Sequence, residues 1–286
     1  MKEKGKFPFR FFIVTFIWSW LIWLPLVLAG FKIIPIGKEL LAAITIPVSI
    51  LAAFGPAVGA FVSLRTLKGK GSISIFLKSF LSLNFGWKVW ITSFAILGIS
   101  TAIAWYIPEL FGETRLPMIL PNIYIFPVYW LIMIFLGGGQ EEIGWRGYIL
   151  PFLEERFGRW SGSTVLALVW ACWHIPLWFI PGTSQTYMNF AGFIMLTLGY
   201  SFFFSWVMKA SGNRPLAGMM VHGTANAFIP VFPVFIMTLG VVQVRFWIWT
   251  SLTLIIGIIV MAISNNNSKK KTNLSKINNP YFNCNI

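Results

Sequence analysis

The sequence predicts an all-α fold, a polytopic membrane bundle of about eight transmembrane helices, and three observations carry that expectation. Of 286 residues, 57% are hydrophobic and only 10% charged, and the mean hydropathy of +0.76 lies far outside the range of a soluble globular domain. Apolar runs close to the ~20 residues needed to cross ~30 Å of hydrocarbon recur along the chain. The basic residues, 22 against 8 acidic ones, punctuate those runs instead of gathering on a polar face, so they read as topology signals and not as a nucleic-acid footprint.

The elements follow in order. Lys2, Lys4, Lys6 and Arg10 precede a first run, Phe11 to Ala29, too long for a signal-peptide core and without a small-x-small site, so it is expected to be retained as a span. Leu41 to Leu64 is the second, with Gly55-Pro56 as a kink. Arg65, Lys68, Lys70 and Lys78 then mix with Ile75, Phe76, Leu77, Phe80 and Leu81, the pattern of a short helix lying in the membrane interface. Span three runs from Lys88 to Ile107, span four from Ile123 to Leu150, span five from Thr164 to Ile180 and span six from Phe190 to Met208. Spans seven and eight are Pro215 to Phe235 and Phe246 to Ile263. Residues 1–263 thus form one membrane domain, and the Asn/Lys/Ser-rich stretch 264–286 is expected to be a disordered tail.

Eight spans place both termini on one side. That side collects eighteen of the Lys and Arg residues, whereas Lys32, Lys38, Arg115 and Arg245 fall on the other, so both termini are expected in the cytoplasm. The richness in Asn, Lys and Ile suggests an AT-rich microbial genome and hence a microbial cell membrane. Cys172 and Cys284 give neither a disulfide framework nor a ligand spacing, and nothing sets an oligomeric state.

Acid-base chemistry is scarce and concentrated. The chain has no aspartate, and two of its eight glutamates, Glu141 and Glu142, sit together inside span four. Its two histidines, His174 and His222, lie in spans five and seven. Ionisable groups at such places cost several kcal/mol by insertion scales and are functional candidates by default. Counting from the span ends at ~1.5 Å per residue puts Glu141, His174 and His222 at one level, about 10–15 Å below the cytoplasmic interface. Asn226 follows His222 at i+4 and shares its helix face. Arg146 follows Glu142 at i+4, the order that suits an ion pair along a helix. One arginine leaves the second carboxylate, Glu141, only partly compensated and in need of a partner, for which a histidine is the candidate. Gly137 to Gly139 are expected to permit close helix packing, and the many tryptophans to act as interface or lipid-facing anchors.

Such a set suits a hydrolase. A carboxylate and a histidine can activate water, while a second histidine and an asparagine amide can donate to the oxyanion formed at a peptide carbonyl. Glu141, His174 and His222 equally supply the ligand count of an open catalytic zinc, with Glu142 left as base. There is no HExxH motif, no aspartic dyad and no GxSxG elbow. A proton-coupled carrier would use the same residue types as a relay, although no internal repeat supports it. A non-catalytic membrane scaffold or immunity protein would use them to hold helices together.

The motifs resemble those of the CAAX prenyl protease and bacteriocin-processing family, intramembrane endopeptidases often described as metalloproteases. Glu141, Glu142 and Arg146 match its paired-glutamate motif in the form EExGWRG, followed by Tyr148 and Pro151 in a Tyr-x-x-Pro pattern. Trp170 and His174 match an aromatic residue four before a histidine, with Trp in place of the commoner Phe, and His222 with Asn226 match the third motif. The family-like core extends over about 123–235. The resemblance implies an endopeptidase in which Glu141 and His174 activate water and His222 with Asn226 form the oxyanion site, Glu142, Arg146 and Trp170 supporting them. It leaves the cofactor open between a divalent metal such as zinc and none. The implied substrate is a peptide or protein at the membrane, as in eukaryotic members that trim the last three residues of prenylated proteins.

Overall fold

A computed structural model describes residues 7–69, 71–81 and 86–271. Among them there is no strand. The α-helices are α1 (Phe9–Gly30), α2 (Lys38–Ala53), α3 (Gly55–Lys68), α4 (Ser72–Lys78), α5 (Trp87–Tyr106), α6 (Phe126–Phe135), α7 (Glu142–Gly144), α8 (Leu150–Phe157), α9 (Arg159–Trp173), α10 (Phe190–Ala210), α11 (Pro215–Phe228) and α12 (Val244–Lys271). Seven helical stretches among the described residues are long and apolar enough to cross a membrane, Phe9–Gly30, Lys38–Leu67, Trp87–Phe111, Ile123–Phe157, Arg159–Phe179, Phe190–Ala210 and Val244–Ser264. The chain is a polytopic helical bundle and an integral membrane protein.

Helix α1 shows how such a sequence chooses its inside. Phe11, Thr15, Ser19 and Trp23 recur at four-residue spacing and are buried, while Ile13, Ile17 and Leu21, on the opposite stripe, are more than half exposed. The exposed stripe is the more apolar one, as expected when the outer solvent is lipid, and the small polar residues face neighbouring helices where backbones approach closely. Ser19 donates from Oγ to the Ala52 carbonyl at 2.7 Å, tying α1 to α2.

One span is kinked where expected, and another differs from its sequence reading. The second is broken at Phe54 into α2 and α3, where Pro56 cannot supply an amide to the preceding turn. The seventh, expected as a span from Pro215 to Phe235, is helical only over the 14 residues of α11, or about 21 Å. Nearly all of α11 is buried, because it is the central helix, packed against α5, α6, α7 and α10. A helix sheathed by protein need not match the thickness of the bilayer.

The short interfacial helix is present as α4, with Phe76 buried against Phe61 and Ile75 and Leu77 exposed. Helix α12 continues to Lys271, past the expected start of the polar tail at 264, and 272–286 lie outside the described residues. Trp20, Trp87 and Trp247 are exposed, as expected of lipid-facing anchors, whereas other tryptophans lie in the core. Trp23, Trp145, Trp173 and Trp249 are at most 2% exposed. They fill the core because a bundle with many glycines and serines at its contacts leaves volume for large rings.

Candidate active site

Span four is not one helix. Helix α6 stops at Phe135, and the chain breaks at Gly138 with φ +116 before a 3₁₀ turn, Gly139–Glu141. Gln140 holds this break together, accepting from the Gly138 amide at 2.9 Å and donating to the Leu136 carbonyl at 3.0 Å. The single turn of α7 then passes into a π-helical turn, Trp145–Ile149, before α8. Broken backbone at membrane depth is tolerated only inside protein, and π turns gather at functional sites. The break delivers Gln140, Glu141, Glu142 and Arg146 to the interior, all at most 5% exposed.

Gly138 closely approaches α11. A Cβ there would stand 2.7 Å from His222 Nε2 and 2.6 Å from Asn226 Nδ2, and the positive φ is itself a glycine conformation. Asn226 donates from Nδ2 to the Gly137 carbonyl at 2.7 Å. The close helix packing expected of Gly137 to Gly139 is seen at Gly138 and Gly139, which both approach α11, Gly138 against His222 and Asn226.

The ion pair meets the same histidine. Arg146 Nη1 donates to Glu142 Oε1 at 2.9 Å with both side chains fully buried. The same Oε1 lies 2.7 Å from His222 Nδ1. Arg146 also donates from Nη2 to Ser201 Oγ at 3.1 Å, and its guanidinium lies over the rings of Trp170 and Phe204, 4.6 and 4.9 Å from their centroids. It is thus Glu142, and not Glu141, that takes the histidine.

Glu141 has a different partner. Its Oε2 accepts from the indole Nε1 of Trp170 at 2.8 Å, while the Trp170 carbonyl lies 2.8 Å from His174 Nδ1. The Trp170 ring packs edge-on against both histidines, with centroids 5.6 Å from His174 and 5.3 Å from His222. Six of the residues singled out from the sequence, Glu141, Glu142, Arg146, Trp170, His174 and His222, are joined through these contacts, and the seventh, Asn226, is tied to Gly137 beside them.

Tautomers follow from the partners. A backbone carbonyl can only accept, so His174 donates from Nδ1 and keeps a lone pair on Nε2. Glu142 as a carboxylate likewise accepts from His222 Nδ1. His222 Nε2 is then an acceptor in the neutral ring and a donor in the imidazolium.

Two free Nε2 atoms with oriented Nδ1 groups would suit a metal, so the proposed ligand set Glu141, His174 and His222 can be tested on geometry. Among the described residues no three His, Cys, Asp or Glu side chains converge as a metal-binding group. Glu141 presents one oxygen to the Trp170 indole, and Glu142 spends Oε1 on Arg146 and His222. The residues as arranged do not fit a three-ligand ion.

Gln140 and Ser201 were not anticipated, although the signal for Ser201 is in the sequence. Ser201 and Ser205 stand at i+4 on one face of the apolar α10, and each meets an arginine, Ser201 that of the Glu142 pair and Ser205 Arg159 beside Glu154. A pair of hydroxyls on one helix face in lipid calls for polar partners.

Comparison with known proteins finds two matches. Residues 123–228 match the family model of the Rce1-like type II CAAX prenyl endopeptidases, a window containing all seven residues. Over 55 residues the chain is 35% identical to a CAAX prenyl protease 2 of Methanococcus maripaludis, covering 19% of this chain and 20% of that protein. The chain therefore spans about a fifth of the length of the curated relative it matches. The resemblance to CAAX prenyl proteases drawn from the motifs is borne out.

Proposed function

We propose that this protein is an intramembrane endopeptidase of CAAX-protease type that hydrolyses a peptide bond with water activated by Glu141 and His174. The observation that carries the reading is the meeting of Glu141, His174, His222 and Asn226 around Trp170 and Gly138, since three separate helical segments bring together the acceptors and donors that amide hydrolysis needs. The site lies in one membrane domain near the end that carries most of the basic residues, so cleavage is assigned to the cytoplasmic side with both termini there. The substrate is a membrane-associated peptide or protein.

The chemistry runs through the chain's own groups. A water donating one hydrogen to Glu141 and the other to His174 Nε2 has its lone pairs turned toward a carbonyl carbon. Glu141 takes the proton as hydroxide attacks, a base contribution of roughly 10²–10⁴-fold. The oxyanion accepts from Asn226 Nδ2, which has a second hydrogen beyond the one given to Gly137, and from His222 Nε2 as imidazolium. Each such donor contributes roughly 10²–10³-fold. Collapse of the tetrahedral intermediate breaks the C–N bond, and the proton held by Glu141 passes to the leaving amine.

The test is cleavage of quenched-fluorescent peptides, prenylated and not, by protein reconstituted in lipid. Wild type cleaves, and Glu141→Gln, equally folded, loses 10²–10⁴-fold in kcat. Equal cleavage by both would sink the assignment of Glu141, and no cleavage of any peptide would favour the carrier or scaffold alternatives.

A further inference from the structure

Resting on the peptidase reading for its chemical consequence, but on geometry for its substance, we infer that Trp170 is the positioning residue of the water-activating pair, holding the Glu141 carboxylate with its indole N–H and the His174 ring with its carbonyl. The two hydrogen bonds, 2.8 Å each, leave opposite ends of one residue. One residue therefore fixes the spacing between the two acceptors that share a single water.

The rest of the surroundings hold Trp170 still. It is 3% exposed. One ring face carries the Arg146 guanidinium at 4.6 Å, and its edge contacts reach both histidines. Arg146 in turn is fixed by Glu142 and Ser201. The buried ion pair thus acts on the acceptors through the indole, so its rigidity is transmitted to Glu141 although Glu142 makes the ionic contact. The backbone half of this clamp survives any substitution at 170. The indole half does not, because no other apolar side chain of this shape has a donor at that atom. Loss of it frees the Glu141 carboxylate to rotate about its terminal torsion, which is broad in energy.

Two measurements test the clamp. In the full-length protein labelled with ¹⁵N at its indole nitrogens, the Trp170 resonance, identified by its disappearance in Trp170→Phe, shifts upfield in Glu141→Ala. This readout needs no enzymatic activity, and an unmoved resonance overturns the inference. In the cleavage assay, Trp170→Phe and site-specific benzothienylalanine, which keeps the fused ring and replaces N–H by sulfur, each lower kcat about 10- to 100-fold, the size of one hydrogen bond to a charged group. KM stays unchanged. Unchanged kcat for the benzothienylalanine protein overturns the positioning role, as does an equal loss in kcat and rise in KM that would mark a merely structural residue. If the resonance shifts while wild type cleaves nothing, the clamp on Glu141 stands and the peptidase reading is what fails.

Discussion

Removing the Glu142 side chain should be among the most damaging single substitutions in the membrane domain. Glu142 Oε1 serves Arg146 at 2.9 Å and His222 at 2.7 Å, and the side chains are 0%, 0% and 5% exposed. In Glu142→Ala the guanidinium loses its ion-pair hydrogen bond and keeps Ser201 Oγ and the faces of Trp170 and Phe204 as contacts. Breaking a buried pair from one side costs about 3–5 kcal/mol, a large share of a typical 5–15 kcal/mol stability. The same protein supplies its own control in Glu109 and Arg115, an ion pair at 2.8 Å whose arginine is 61% exposed. Such a pair contributes about 0–1 kcal/mol. The measurement is reversible unfolding in bicelles, comparing Glu142→Ala with Glu109→Ala. A double-mutant cycle adds Arg146→Ala, for which the coupling should exceed ~2 kcal/mol, because removing both charges spares the orphan cost. A Glu142→Ala loss no larger than that of Glu109→Ala would refute the claim that this pair is a dry, mutually dependent unit.

Two further outcomes follow from the same geometry. Gly138→Ala meets both a left-handed backbone, which costs about 1–2 kcal/mol for a residue with a Cβ, and a methyl placed against His222 Nε2 and Asn226 Nδ2. It should lower kcat at least tenfold, and full activity would mean that Gly138 does not face the reacting carbonyl. Chelation tests the absence of a fitted ligand set. Cleavage should be unchanged after treatment with EDTA or 1,10-phenanthroline, and loss that zinc restores would show that Glu141, His174 and His222 rearrange into a metal site.

Much of this protein was legible in the sequence because lipid imposes strict rules. A segment in hydrocarbon must be apolar, about 20 residues long and internally hydrogen-bonded, so hydropathy alone located the helices and made Glu141, Glu142, Arg146, His174 and His222 conspicuous. The i+4 spacing of Glu142 and Arg146 foretold their pairing, because one helical turn sets that distance whatever surrounds it. Equal depth foretold that three segments would meet, because span ends fix height.

Depth does not fix azimuth. Which carboxylate takes which histidine depends on helix rotation, and that rotation comes from the break at Gly138 and the π turn after Gly144, where Gln140 and the approach of α11 decide the backbone. Those features arise from contacts between segments about eighty residues apart, which no local pattern encodes. For the same reason Trp170 looked like a bulkier stand-in for phenylalanine. Its donor acquires meaning only once Glu141, from another helix, lies 2.8 Å away. The sequence by itself determined which polar groups enter the membrane and at what height; the tertiary structure decided which of them touch, because pairing depends on how helices turn toward one another.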